Sequence, residues 1–257
     1  MRVAILAGGL GTRLSEETER IPKPMVEIGG RPILWHIMKT YGAAGFDHFV
    51  VALGYKSEVV KSFFLDYRHL TSDLTIDTAT GHVKDHEGEH DAWTVDLVGT
   101  GLTTNTGGRV RRLAGWLDGP VFGLTYGDGV SDVDLAAVAE FHRGHGKLAT
   151  ITAIRPRSRF GGLVLDDGLV TDFSEKPQVG EGWVNGGFMV LDRAVLDRID
   201  DDDDTSFEKD VLEGLAEDGE LMAYCHTGFW QSMDTLRDVR TLQQLWSSGA
   251  PPWRTWT

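Results

Sequence analysis

A chain of 257 residues with 41% hydrophobic side chains can bury a substantial core, as one large domain or as a core with an appendage. Its 39 acidic against 25 basic side chains give a formal net charge of −14, which argues against general affinity for nucleic acid or anionic membranes, since both require clustered cations. A single cysteine, Cys225, excludes an intramolecular disulfide framework, and no apolar run has the length of a membrane span or the form of a signal peptide, so a cytoplasmic protein is expected.

The first predicted strand, Val3 to Ala7, runs into Gly8-Gly9-Leu10-Gly11-Thr12-Arg13-Leu14, and Pro22-Lys23-Pro24-Met25 follows. Glycines let backbone N–H groups approach an anion, and Arg13 and Lys23 supply countercharge, so this loop is expected to hold phosphate. It lacks the Gly-Lys-[Ser/Thr] of a Walker A loop and the third glycine of the dinucleotide fingerprint. Pro32 to Ala44 sets Ile33, Leu34, Ile37, Met38 and Tyr41 at helical spacing, and Leu135 to His142 repeats the pattern. Further strands are predicted at His48 to Leu53, Val121 to Tyr126 and Leu148 to Ile154. The alternation predicts an α/β fold built on a three-layer, mixed but mostly parallel sheet. Ligands collect at the carboxyl ends of such strands, so the Gly8 to Arg13 loop and Tyr126-Gly127-Asp128-Gly129 should open on one edge.

From Thr71 to Gly101 the pattern is polar and interrupted. His82, His86 and His90 recur every four residues, but Gly81 and Gly88 break any helix there, which favours an exposed insertion or oligomer arm over a zinc site. Beyond Pro156, Gly162 to Leu165 and Leu169 to Phe173 flank Asp166-Asp167-Gly168 as a hairpin, so the sheet is expected to gain antiparallel strands. Asp200 to Asp204 reads as a solvated loop, Thr205-Ser206-Phe207-Glu208 as a helix start, and Cys225 as an inert buried thiol in an alternating run. A last helix, Thr235 to Trp246, leads to a Pro/Trp-rich tail that packs on the body or on a partner subunit.

Arg13 and Lys23 opposite a strand-end aspartate point to a metal-assisted phosphate reaction. A hard ion such as Mg²⁺ takes one or two carboxylates and leaves its other positions to water and phosphate. Asp128, between glycines, is the first candidate, and Asp234 is a second carboxylate or a helix N-cap. Asp132 and Asp134 have the same two readings at the helix from Leu135. Lys176 and Glu175, in Glu175-Lys176-Pro177, suit a sugar phosphate and its hydroxyls, or form a plain ion pair. Asn185 and Gly186, in Asn185-Gly186-Gly187, suit a hydroxylated ring, or form a plain turn.

Taken in order, the loop Leu6 to Leu14, Pro22-Lys23-Pro24-Met25, Gly127-Asp128, Glu175-Lys176-Pro177 and Asn185-Gly186-Gly187 resemble the sugar-1-phosphate nucleotidylyltransferase family. Pro24 to Lys39, Thr106-Gly107-Gly108-Arg109, Thr125 to Asp132, His145 to Thr150 and Gly228 to Asp238 are similar to its cytidylyl branch. The resemblance implies the nucleotide-diphospho-sugar transferase fold as one domain over 1–257, with 1–155 mainly nucleotide-binding and 156–257 mainly sugar-phosphate-binding. It implies reaction of CTP with α-D-glucose 1-phosphate to CDP-glucose and pyrophosphate, with Mg²⁺, for deoxysugar biosynthesis in a homo-oligomer. A UTP- or dTTP-dependent relative and a non-catalytic regulator are the competing readings.

By the same resemblance, Arg13 faces the departing pyrophosphate and Lys23 the α-phosphate. Leu6, Ala7, Gly8, Gly9, Leu10, Gly11, Thr12, Gly127, Thr104 and Arg109 surround the nucleotide. Glu175, Lys176, Asn185 and Gly186 hold the sugar phosphate, and Asp128 and Asp234 hold the metal. Two departures stand out: Ile21 replaces the branch's usual lysine, and Ser206-Phe207-Glu208-Lys209-Asp210-Val211 replaces its Trp-Glu-x-Glu-Pro.

Overall fold

Alternation along β1 (Val3–Leu6) decides the layering. Val3 and Ile5 face one apolar core and Ala4 the other, so the strand is covered on both faces. The structure, a computed structural model, describes residues 1–9, 11, 14, 21–86, 88, 90–156, 182–256 and the backbone of 162–166 and 169–174. β1 pairs in parallel with β2 (His48–Leu53) and β4 (Val121–Tyr126), and β2 pairs in parallel with β3 (Thr94–Gly99). β7 (Met189–Asp192) runs antiparallel between β4 and β5 (Ala149–Ile154). The short β6 (Val184–Asn185) continues that side of β5, and β8 (Leu221–His226) pairs in parallel with its other side. The sheet is therefore mixed, mostly parallel and eight-stranded.

One core packs α1 (Ile33–Ala43) through Ile33, Leu34, Ile37, Met38 and Tyr41, with α3 (Leu135–His145) and α4 (Leu236–Ser247) on the same face. The opposite core packs α2 (Thr106–Arg112) and the π-helical turn Phe207–Leu212. The helix starts follow from their residues. Asp134 accepts from Ala137 N–H and Thr235 forms a reciprocal capping box with Asp238, so Asp134 is a cap and Asp234, one residue before Thr235, is not. Ser206 caps the turn at Phe207. Trp253 is fully buried, so the tail docks on the body.

Four expectations change. The predicted hairpin forms, as Gly162–Asp166 against Leu169–Ser174, but as a ribbon apart from the main sheet; the antiparallel strands of the sheet are β6 and β7. Its turn, Asp167 and Gly168, lies outside the described residues, as do Glu175, Lys176, Arg13, Thr12 and Leu10. The polar run from Thr71 to Gly101 is an arm only in part. Leu74–Asp77 and His82–Asp85 form an exposed ribbon, whereas Thr94–Gly99 is the sheet edge β3, where one partner strand leaves room for polar residues. Cys225 is exposed, because β8 is the opposite edge and its alternation turns Ala223 and Cys225 outward. The acidic run is exposed but not idle, since Asp203 is tied to Thr104 and Arg112. Among the described residues, no helix is long and apolar enough to cross a membrane.

Candidate active site

A cleft of about 370 Å³ opens where β1 and β4 end side by side, lined by Leu6, Ala7, Gly8, Gly9, Gly11, Lys23, Thr104, Arg109, Gly127, Asp128 and Asp234 among others. It lies beside the first strand, where the sheet order turns, the usual ligand position in open α/β sheets. Gly127 N–H donates 2.9 Å to the Leu6 carbonyl, which carries the β1–β4 register beyond the strands. A side chain at Gly127 would press on that carbonyl and on Pro24.

Lys23 stands on a single helical turn, Lys23–Met25, started by Pro22 and Pro24. Its Nζ donates to Asp128 Oδ2 at 2.6 Å and to Asp234 Oδ1 at 2.8 Å. Backbone pairing brings the two aspartates together. Gly129–Ser131 pairs antiparallel with Trp230–Ser232, and Met233 N–H donates to the Asp128 carbonyl at 2.8 Å. Ser232 Oγ donates 2.9 Å to the other Asp234 oxygen. Burial opposes the charge on Lys23, but Asp128 and then Asp234 outweigh it and its pKa is raised, so the ammonium stays protonated. Two carboxylates converging on one cation make an all-oxygen donor pair suited to a hard divalent ion. Among the described residues no larger cluster of acidic, His or Cys side chains forms around them, which leaves the other positions to water and phosphate. The residues fit such an ion.

Asp132, four residues on, is neither a helix cap nor a member of that pair. Its Oδ1 accepts from Phe229 N–H at 2.7 Å and meets His226 Nε2 at 2.9 Å, which pins the segment leading to Asp234.

The side of the cleft next to the loop after β3 is closed by glycines packed on a guanidinium. A Cβ at Gly8 would collide with Arg109, and one at Gly54 with the Gly8 carbonyl and Arg109. Arg109, 4% exposed, donates to Thr100 Oγ1 and the Gly101 carbonyl at 2.8 Å and to the Leu102 carbonyl at 3.3 Å. Burial, with Arg112 alongside, lowers its pKa from the usual arginine value. Arg109 therefore lines the cleft mainly as the clamp of the loop after β3. Thr104 lies in that loop and donates to Asp203, whose carboxyl is held below its usual range by this bond and by Arg112.

On the flank toward β6, Asn185 Oδ1 accepts from Gly187 N–H at 2.9 Å and its Nδ2 reaches the Tyr126 hydroxyl at 3.5 Å. The Gly186 carbonyl is taken by Trp230 Nε1 at 2.8 Å. Asn185 thus joins the cleft through Tyr126, while Gly186 braces it from behind. Tyr126 donates 2.6 Å to Glu208 Oε1, and Thr106 donates 2.6 Å to Oε2. Burial and the nearby Glu208 charge raise the Tyr126 pKa far above its ordinary value, so the phenol remains a donor. Glu208 and Asp203 carry no motif signal, as Glu208 reads locally as a first-turn acid and Asp203 as part of a charge run; Thr106 stands in the Thr106-Gly107-Gly108-Arg109 stretch, which by itself points to no partner at Glu208.

A family model described as nucleotidyl transferase matches residues 2–248. The chain is 51% identical over 257 residues to a glucose-1-phosphate cytidylyltransferase of Salmonella typhi and 42% identical over 256 residues to a probable glucose-1-phosphate cytidylyltransferase of Bacillus subtilis (strain 168), with 100% of each chain covered in both. Among solved structures, HddC from Yersinia pseudotuberculosis superposes with a TM-score of 0.68 at 24% identity, covering 95% of this chain and 99% of that one. UDP-glucose pyrophosphorylase complexed with UDP-glucose gives a TM-score of 0.68 at 14% identity, covering 96% and 98%. These two likenesses concern the fold.

Proposed function

The chain belongs to the nucleotidyl transferase family, and from that premise we propose that it joins CTP to α-D-glucose 1-phosphate, giving CDP-glucose and pyrophosphate. The observation that carries this reading is Lys23 spanning Asp128 and Asp234 at the end of a glycine-lined strand, in a chain that aligns end to end with cytidylyltransferases of glucose 1-phosphate. A phosphate oxygen of the sugar attacks the α-phosphorus of CTP. The new P–O bond forms as the bond to the β-phosphate oxygen breaks, and pyrophosphate leaves with that electron pair. The nucleophile is already ionised, so the work is to position two polyanions and offset their charge.

Lys23 is assigned to the α-phosphate, and Arg13, from the glycine loop's own motif, to the departing pyrophosphate. Leu6, Ala7, Gly8, Gly9 and the residues through Thr12 are assigned to the nucleotide, and Arg109 holds the facing loop in place. A divalent ion, Mg²⁺ in this proposal, would be held by Asp128 and Asp234 and would supply charge neutralisation and orientation at the triphosphate. Glu175, Lys176 and Asn185 are assigned to the glucose phosphate, within a division of labour in which 1–155 mainly binds nucleotide and 156–257 mainly sugar phosphate. We place the enzyme in the cytoplasm, as a homo-oligomer serving deoxysugar biosynthesis.

The test is pyrophosphate release from glucose 1-phosphate with CTP, UTP, dTTP, ATP and GTP, with and without Mg²⁺, and product mass. CTP-selective, Mg²⁺-dependent formation of CDP-glucose is expected. Selectivity for UTP or dTTP would overturn the choice of base, and silence with every nucleotide would overturn the reaction.

A further inference from the structure

Thr104 has one hydroxyl proton, and Asp203 takes it. The hydroxyl donates to Asp203 Oδ1 at 2.7 Å and accepts from Arg112 Nη1 at 2.6 Å, while Arg112 Nη2 returns to the same Asp203 oxygen at 2.8 Å. The two segments are held together by backbone as well, because Asn105 N–H donates 2.7 Å to the Asp203 carbonyl. A threonine hydroxyl has one donor and two acceptor sites. With the proton held by a carboxylate and one lone pair by a guanidinium, only an acceptor remains for the cleft that Thr104 lines. Both clamps are charge-assisted, so turning the proton away from Asp203 would forfeit the stronger kind of hydrogen bond.

Resting on the proposed function, with Thr104 among the residues around the nucleotide, we propose that the base lies against this loop and that Asp203 is a specificity-determining positioning residue: it fixes Thr104 as an acceptor and thereby favours a 4-aminopyrimidine nucleotide over a 4-oxopyrimidine one. The exocyclic amine of cytosine donates where the uracil O4 can only accept. An acceptor facing an acceptor leaves both desolvated and unpaired.

The test compares wild type with Asp203→Asn, Asp203→Glu, Thr104→Ser and Thr104→Val. It reads the ratio of kcat/KM for CTP to that for UTP and, independently of turnover, the ratio of calorimetric Kd values for the two nucleotides. In Asp203→Asn the oxygen that Thr104 and Arg112 share loses its charge, so the hydroxyl proton is held less strongly and can turn toward the cleft; Asp203→Asn is expected to lower the ratio about tenfold, and Thr104→Val to do the same. Thr104→Ser and Asp203→Glu, which keep the hydroxyl and the carboxylate, should retain it. The Asp203→Asn, Thr104→Val double variant should fall no further than Thr104→Val alone.

Equal losses for CTP and UTP in Asp203→Asn, additive effects in the double variant, or a wild type with no preference for CTP would each overturn the proposal. Should Asp203→Asn fail to fold, an unchanged ratio in Thr104→Val would overturn it. A wild type that binds CTP selectively yet makes no CDP-glucose would overturn the reaction and leave the Asp203 assignment standing.

Discussion

Lys23 makes two ion pairs at once, 2.6 Å to Asp128 and 2.8 Å to Asp234, and so stands between the two carboxylates assigned to the metal. An ammonium placed where charge develops at the α-phosphate contributes most in the transition state, and removing such a donor typically costs on the order of 10²–10³ in rate. Lys23→Met is therefore expected to lower kcat by that order, with the fold intact by circular dichroism; near-native kcat in a pyrophosphate-release assay would remove Lys23 from the chemistry. Lys23 and Asp128 are legible in the sequence because Lys23 stands between two prolines downstream of the glycine loop and Asp128 between two glycines just past a strand end. Asp234 was half-legible: its neighbourhood predicted a cap, and only the observation that Thr235 fills the cap position leaves Asp234 to the cleft. Asp203 and Glu208 were not legible at all. Their partners, Thr104, Tyr126 and Thr106, lie about 80 to 100 residues away in the chain, and no local pattern encodes a contact of that range.

Elements were legible where period and punctuation agreed, as in α1 and β1, and less so at the edges of the sheet. β3 alternates weakly and β8 clearly, but each is hydrogen-bonded to one neighbour only, which is why β3 reads as part of a polar arm and why Cys225, in an alternating run that reads as buried, faces outward. α1 also carries a buried histidine that its helical spacing did not explain. His36 is fully buried, its Nε2–H donates to the Ile28 carbonyl at 2.8 Å, and its Nδ1 accepts from the Trp253 indole N–H at 3.3 Å. An indole can only donate, so the imidazole must be neutral to hold both bonds. Burial pulls the His36 pKa down to about 4 from 6.5. Between those values the unfolded chain binds the extra proton, so stability rises with pH; the contribution is complete above pH 6.5 and is lost as pH falls toward 4. Its size is about 3 kcal/mol. Urea denaturation of wild type across pH 4 to 7 should show this slope, and His36→Gln should flatten it; the same slope in both proteins would place the titration elsewhere.

For the whole molecule, the order of strands was legible only as a class. Alternating elements predicted a mostly parallel sheet, but not that β7 would run antiparallel between β4 and β5 or that the hairpin at 162–174 would stand apart from the sheet. The exposed ribbon Leu74–Asp77 and His82–Asp85 presents Leu74, Ile76 and Val83 to solvent, with Leu65 and Leu70 exposed nearby, which makes it the candidate contact face of the proposed homo-oligomer. Ile76→Asp is expected to shift the protein to a smaller species in size-exclusion chromatography with light scattering; an unchanged mass, or a monomeric wild type, would remove the arm from assembly. The chain distances across the cleft have a different consequence. Lys23 precedes its two carboxylate partners by 105 and 211 residues. Domains emerge from the ribosome amino end first, so a nascent chain exposes the glycine loop and Lys23 while Asp234 is still being encoded. Until the segment carrying Asp234 has been made and has docked, the growing polypeptide holds only the first of the two carboxylates, so the proposed metal site is completed by the later part of the chain.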